Sequence, residues 1–330
     1  MYKTNKTISI HIVSWNSLSV LPHCLESILS QSFQDYSIIL VDNASQDQTL
    51  VWIEKKYPFI HIIRNSRNQG FSYAHNQAIR ASDSPFILVV NPDVIMAPDY
   101  LEKTFSFIQK NPNIASIGGK LIRDQKSRVL DSAGLVIHSN RKVSERGAGE
   151  IDQGQYDQSE SVFGVSGALA LYRRKSLEQT KLGEDYFDSF FFAYKEDIDL
   201  AWRLRHDGWD NWYLPTAEAL HPRTVKELGS GTSWKQRVFN RNQRGKRINS
   251  LSYRNHLCLL IKNQDTESFK KNFLKILWYE FAKFCYLLLY HPKSLKSLLE
   301  IYRKRKDLLE KRKQILQNSD FDLTPWIIKS

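Results

Sequence analysis

The residues of this chain best placed to do chemistry are acids and a histidine at the ends of apolar runs. The run Phe86-Ile87-Leu88-Val89-Val90 stops abruptly at Asn91-Pro92-Asp93. A carboxylate just past the C-terminal end of a buried parallel strand sits where open α/β sheets place ligands, so Asp93 is either a metal ligand or a turn acid. Asp42 closes a second such run, where its carboxylate can accept hydrogen bonds from a base N–H or a ribose hydroxyl. Glu196 and Asp197 open a stretch of helical periodicity carrying Ile198, Leu200, Ala201 and Leu204. Asp199 has Arg203 at i+4, whereas Glu196 and Asp197 meet only Leu200 and Ala201 there. At a helix N-terminus the macrodipole favours ionised carboxylates, which suits a general base and equally suits plain helix stabilisation. His221, just before Pro222, is either a satisfied structural imidazole or a metal ligand.

These groups converge only if the intervening elements alternate in type. Segments 8–13, 36–41, 59–63 and 86–90 have strand character, while 20–29, 48–56 and 72–81 have helical spacing, with Pro22 in a first turn. The order β-α-β-α-β-α-β predicts an α/β fold: a mostly parallel sheet flanked by helices, with ligands at the C-terminal strand ends. At the first end, Ser14-Trp15-Asn16 has no Gly-x-Gly-x-x-Gly, which argues against a dehydrogenase. After the second, Ser45 or Asp47 can cap the next helix. At the third, Arg64-Asn65-Ser66-Arg67-Asn68-Gln69-Gly70 is a polar loop or a phosphate- and base-binding one, with Gly70 permitting a tight turn and Ala74 and Asn76 following on one helical face. Downstream, 114–119 reads as a strand ending in Gly118-Gly119, and the segment 129–138 carries Asp131, Gly134 and alternating apolar residues. The small residues of Gly164-Val165-Ser166-Gly167-Ala168 allow close approach of a substrate or simply kink a strand.

Composition sets the frame. The chain has 330 residues and a net charge of +12, but residues 223–330 hold 24 Lys and Arg against 9 Asp and Glu, leaving residues 1–222 slightly acidic. We therefore expect two parts, 1–222 and a basic, helix-rich 223–330. Three scattered cysteines suggest no disulfide framework, and the N-terminus lacks the features of a signal peptide, which together fit a cytoplasmic protein. The apolar segment 273–290 is interrupted by Lys275, Glu280 and Lys283, making it a poor bilayer span. With Lys271 and Asn272, Lys275 and Lys283 fall within about 120° of a helical wheel, the pattern of an interfacial helix. The basic runs after it can each add about 1 kcal/mol per Lys or Arg near anionic headgroups. A helical hairpin packed on the protein or in a homodimer fits the same segment. No nucleic-acid-binding signature accompanies the charge.

The linked motifs Val13-Ser14-Trp15-Asn16, Val41-Asp42-Asn43-Ala44-Ser45-x-Asp47-x-Thr49, Asn68-x-Gly70-x3-Ala74-x-Asn76 and Asn91-Pro92-Asp93 resemble glycosyltransferase family 2, especially its bacterial rhamnosyltransferase-like members, over about two-thirds of the chain. That resemblance implies a GT-A fold, a Rossmann-like domain with a mostly parallel mixed sheet, and a nucleotide-diphosphate sugar, dTDP- or UDP-linked, as donor. It implies that Ser14, Asn16, Asp42, Asn68, Gly70, Asn76 and Asn91 contact this donor and that Asp93, with His221 as second ligand, holds Mg²⁺ or Mn²⁺ on the diphosphate. Asn91 stands where many relatives have an acid, leaving one carboxylate in the motif. It further implies that 114–119 and 129–138, with Asp131, line the sugar side of the pocket, that Gly167 and Ala168 form an acceptor-side floor, that Asp197 is the base of an inverting displacement with Glu196 supporting it, and that 228–234 is a lid. The acceptor is then a glycan or lipid-linked saccharide in cell-surface polysaccharide synthesis at the inner face of the plasma membrane. The competing reading is a noncatalytic nucleotide-sugar-binding or membrane-surface scaffold protein.

Overall fold

The computed structural model describes residues 5–223, 246–317 and 319–328. The expected alternation forms the first part: β1 (Ile8–Ser14), α1 (Leu21–Leu29), β2 (Tyr36–Asp42), α2 (Thr49–Lys56), β3 (His61–Arg64), α3 (Phe71–Ala81) and β4 (Phe86–Val90). There follow β5 (Ile95–Met96), α4 (Tyr100–Lys110), β6 (Ile114–Asp124), β7 (Val129–Ser132), β8 (Leu135–His138), β9 (Val143–Glu145), β10 (Glu160–Val162), β11 (Leu169–Arg173), α5 (Arg174–Thr180), α6 (Glu196–His206) and β12 (Asp210–Leu220). The chain ends in α7 (Lys246–Asn263), α8 (Thr266–Tyr290), α9 (Ser297–Arg303), α10 (Arg305–Leu316) and β13 (Ile327–Ile328).

The main sheet runs β10-β12-β6-β11-β4-β1-β2-β3, with β5 beside β12 and β7 beside β6. Strands β3, β2, β1 and β4 are mutually parallel, and β11 inserts antiparallel between β4 and β6. Period-2 alternation splits each strand between two cores. Ile10, Ile12, Leu40, Leu88 and Val90 face Leu21, Leu25, Ile53 and Leu101 of α1, α2 and α4. Ile39 and Val41 face Ala74 and Ala78 of α3, while Ile87 and Val89 join Leu177, Leu200 and Leu204 of α5 and α6. Every residue of β4 is buried, as an apolar run without alternation requires of a central strand.

One expectation changes here. Strand β6 does not end at Gly118-Gly119 but continues to Asp124, and a Cβ on Gly119 would lie 2.0 Å from the Ala217 carbonyl oxygen, so this glycine admits the bulged part of β12 instead of lining a sugar pocket. The described residues of the basic extension pack on the first part, one of the arrangements left open for them. Cys258 and Leu259 of α7, Leu308 of α10 and Leu323 share a core with Ile198 and Trp202 of α6, and β13 pairs with β8. The change near Pro222 is one of composition, not of core. The expected lid 228–234 lies outside the described residues.

Candidate active site

Strands β1 and β2 stop side by side, with Ser14 in register with Asp42. Both side chains are buried. Asp42 Oδ2 accepts from the Ser45 N–H at 3.1 Å, while Asp42 Oδ1 and the Ser14 hydroxyl have no partner among the described residues. Leaving buried polar atoms unmatched costs about 1–3 kcal/mol each, so this pair is poised for a ligand's donors. Asn16, at φ 52°, ties the two loops together: its N–H donates to Ser45 Oγ at 2.9 Å and its Oδ1 accepts from the Gln46 N–H at 2.7 Å. Asp47 accepts from the Leu18 and Thr49 N–H groups. Asn68 Oδ1 accepts from the Gly70 N–H at 2.9 Å. Gly70 has φ 85°, and a Cβ there would meet the Phe192 carbonyl oxygen at 2.4 Å. That carbonyl accepts from the first N–H groups of α3, so this helix terminus is occupied by protein.

Asn76 is the clear departure from expectation. It is fully buried, its Nδ2 donates to Asp185, the Phe187 carbonyl and Ser189, and its Oδ1 accepts from the Phe187 N–H. With its amide filled by protein, Asn76 holds the loop ahead of α6 and does not reach a donor.

At the end of β4 the Asn91 N–H donates to the Ala168 carbonyl at 2.8 Å. The neighbouring Gly167 N–H donates to Asp197 Oδ2 at 3.0 Å, and a Cβ on Gly167 would sit 3.0 Å from the Asp197 Cβ. Gly167 is therefore small because the head of α6 passes against it. The structure thus brings together the Asn91-Pro92-Asp93 corner, the Gly167-Ala168 floor and the Glu196-Asp197 pair.

The other side of the corner is polar. His221 Nε2 stands 3.5 Å from Asp93 Oδ1, and His221 Nδ1 is 2.8 Å from Asp131 Oδ2. Asp131 also accepts from Arg123 at 2.7 Å and forms an ion pair with Arg223 at 2.6 Å, and Arg223 reaches Glu145, 3.3 Å away. Glu145 accepts from the Ser166 hydroxyl, which returns the chain of contacts to the floor. Burial works against a charged His221, but its bonds to Asp131 and Asp93 raise the imidazole to about 9. Burial would raise Asp131 too, yet His221 and Arg223 hold it low in the carboxylate range. Glu145 goes the other way, pushed up to about 7 by burial despite Arg223. Glu196 is raised to about 8, first by burial and then by the charge of Asp197, and burial raises Asp197 as well, against the N–H bonds from Gly167 and Ile198.

With the His221 Nε2 proton displaced and Nδ1–H kept on Asp131, the Asp93–His221 pair would fit a divalent cation. Two facing donors, one a carboxylate and one an imidazole oriented by a second carboxylate, are a familiar start to a site. Among the described residues no set of three His, Cys, Asp or Glu side chains is arranged to hold an ion, so these two would supply the protein's share. Sequence reasoning missed the roles of Glu145, Arg223 and Ser166, and it placed Asp131 at the sugar instead of behind His221. Only the position of Arg223, two residues after His221, hinted at this network.

The family description "Glycosyl transferase family 2" matches residues 9–181, which stops short of Glu196, Asp197 and His221. N-acetylglucosaminyl-diphospho-decaprenol L-rhamnosyltransferase of Mycobacterium tuberculosis is 29% identical over 223 residues, 61% of this chain and 71% of that protein. Poly-beta-1,6-N-acetyl-D-glucosamine synthase of Staphylococcus epidermidis is 24% identical over 242 residues, covering 70% of this chain and 53% of the synthase. In fold, the chain is similar to the mannosyltransferase PcManGT of Pyrobaculum calidifontis in complex with GDP-Man and Mn²⁺, with TM-score 0.53, 13% identity and coverage of 95% and 86% of the two chains. GalNAc-T7 with UDP, GalNAc and Mn²⁺ gives TM-score 0.56 and 14% identity over 77% of this chain and 47% of that one. With a GT-A sheet, a match over more than half its length and rhamnosyltransferase-like sequence, this chain belongs to glycosyltransferase family 2.

Proposed function

We propose that the protein is an inverting, metal-dependent glycosyltransferase that moves rhamnose or a related hexose from a nucleoside-diphosphate donor to a glycan or lipid-linked acceptor. The observation that supports this most is the continuity of the Asn91–Ala168 and Gly167–Asp197 hydrogen bonds, which set a buried carboxylate beside the corner carrying Asp93. Ser14 and Asp42 would receive the nucleoside. Asp93 and His221 would hold Mg²⁺ or Mn²⁺, whose charge stabilises the departing diphosphate. The rhamnosyl transfer named for the Mycobacterium tuberculosis relative and the neighbours' UDP, GDP-Man and Mn²⁺ are in keeping with this. Asp197 takes the proton of the acceptor hydroxyl as its oxygen bonds to the anomeric carbon, and the electron pair of the breaking bond leaves with the diphosphate. One displacement inverts that carbon. Glu196, carrying a proton at neutral pH, leaves Asp197 as the ionised partner of the pair.

The test is a thermal-shift and turnover screen across dTDP- and UDP-sugars with Mg²⁺ or Mn²⁺. A melting shift with one donor, lost on chelation, is expected. Asp197→Asn should lower transfer by ~10²–10⁴-fold while keeping the donor-induced shift. Near-normal turnover in that variant would remove Asp197 from the reaction.

A further inference from the structure

The surface of this protein is uneven in one place. Along α8, Leu274, Trp278 and Leu289 are 77%, 71% and 75% exposed, and Phe273, Leu277, Phe281, Phe284 and Leu288 are exposed beside them. At 100° per residue these side chains form one stripe about 160° wide along more than four turns of helix. Elsewhere in the described residues the exposed large apolar side chains are scattered, as on any soluble surface. The opposite side of α8 is fixed to the body: Ile276 and Leu287 are buried, and Glu280 pairs with His256 of α7 at 2.6 Å.

We propose that this stripe is a membrane seat, with α8 lying in the plane of an anionic lipid leaflet and its aromatic and leucine face sunk to the acyl boundary. Three observations select that occupant. No helix among the described residues is long and apolar enough to cross a bilayer, and α8 is held side-on. The charge around the stripe is complementary to anionic lipid: Lys271, Lys275, Lys293 and Lys296 are exposed near it, and Arg303-Lys304-Arg305-Lys306 follows at the end of α9, while Glu280 and Glu300 pair with His256 and Arg254. A second copy would bring the same basic runs against themselves in a two-fold contact, which like-charge repulsion disfavours.

The seat also has a bearing on the acceptor. Asn255, beside His256 on α7, bonds to the carbonyls of Phe191, Ala193 and Tyr194 just ahead of Glu196 and Asp197. A bilayer under α8 is thus one helix away from the base. Resting on the transferase reading above, this arrangement favours an acceptor with a lipid anchor over a free oligosaccharide.

The experiment is flotation of the full chain with phosphatidylcholine vesicles, with and without phosphatidylglycerol, at low salt. Co-flotation with the anionic vesicles is expected, weakened by about tenfold or more in Trp278→Glu/Leu289→Glu and, independently, in Lys304→Glu/Arg305→Glu. Both pairs are solvent-exposed and should keep the circular dichroism of the parent. Failure to float with anionic vesicles overturns the seat, as does equal, salt-insensitive binding to neutral ones. A dimer in sedimentation equilibrium that Trp278→Glu/Leu289→Glu dissolves would also overturn it, marking the face as a self-interface. Turnover of donor is read separately, so flotation without transfer removes only the enzymatic reading, and transfer without flotation removes only the seat.

Discussion

At the scale of single residues, the decisive pair is Glu196 and Asp197. Two adjacent carboxylates in a buried site cannot both ionise cheaply, so they titrate as a unit with one proton shared unequally. The structure favours the proton on Glu196, whose Oε2 has no partner among the described residues, while Asp197 receives N–H donors from Gly167 and Ile198. Because Asp197 is raised by burial, kcat/KM should fall on the acid side at higher pH than an ordinary aspartate would dictate. On the alkaline side, ionisation of Glu196 near pH 8 places a second buried negative charge beside an anionic donor, and activity should fall again. In Glu196→Gln the alkaline limb should vanish and the acid limb remain, as read from pH profiles of kcat/KM. An unchanged alkaline limb in that variant would assign it to another group.

At the scale of elements, the proposed base depends on a loop that the sheet does not control. Phe192, Tyr194 and Lys195 have φ of 64°, 73° and 73°, a region that costs side-chain-bearing residues about 1–2 kcal/mol each. Asn255 holds this loop from outside, donating to the carbonyls of Phe191, Ala193 and Tyr194 at 2.9, 3.0 and 2.7 Å. Asn255→Ala should therefore let the head of α6 shift, lowering kcat by ~10–100-fold. Donor affinity should hold, because Ser14, Asp42 and Asp93 sit on the ends of β1, β2 and β4. Calorimetric donor titration beside steady-state kinetics separates the two, and a parallel loss of donor affinity would reduce Asn255 to a general structural role. The same division explains what was legible beforehand. Strands β1, β2 and β4 announce themselves as dense apolar runs and helix α3 by its helical spacing, so Asp42 and Asp93 are legible in the sequence at strand ends. The Asn76 clamp, the Asp131–His221 pair and the Asn255 tie join residues 109, 90 and 61 or more positions apart. Such contacts are made by tertiary packing of isolated polar residues, which leave no periodic trace.

At the scale of the whole molecule, the basic extension is bound to the catalytic part by buried charge. Lys262 of α7 is fully buried between Asp188 and Asp199, Arg203 bonds Asp199 at 3.0 Å, and Lys311 of α10 reaches Asp188 at 3.1 Å. Burial alone would raise the Asp188 carboxyl, but Lys262 and then Lys311 overcome it and hold it well below the usual range. A carboxyl depressed in the folded state lends stability that is full above its unfolded value of about 3.9 and is lost as pH falls through the folded one. The melting temperature should thus decline as pH is lowered from about 5 toward 2, and Asp188→Asn should flatten that decline. Lys262→Met is the harsher change, since it leaves Asp188 to Lys311 and Asp199 to Arg203 in a dry site, and it should cost about 3–5 kcal/mol. Denaturant unfolding monitored at neutral pH reads that loss. If the extension were an independent body, Lys262→Met would leave the unfolding of the GT-A sheet unchanged; a single cooperative transition shifted as a whole is what a core shared by α6, α7 and α10 requires.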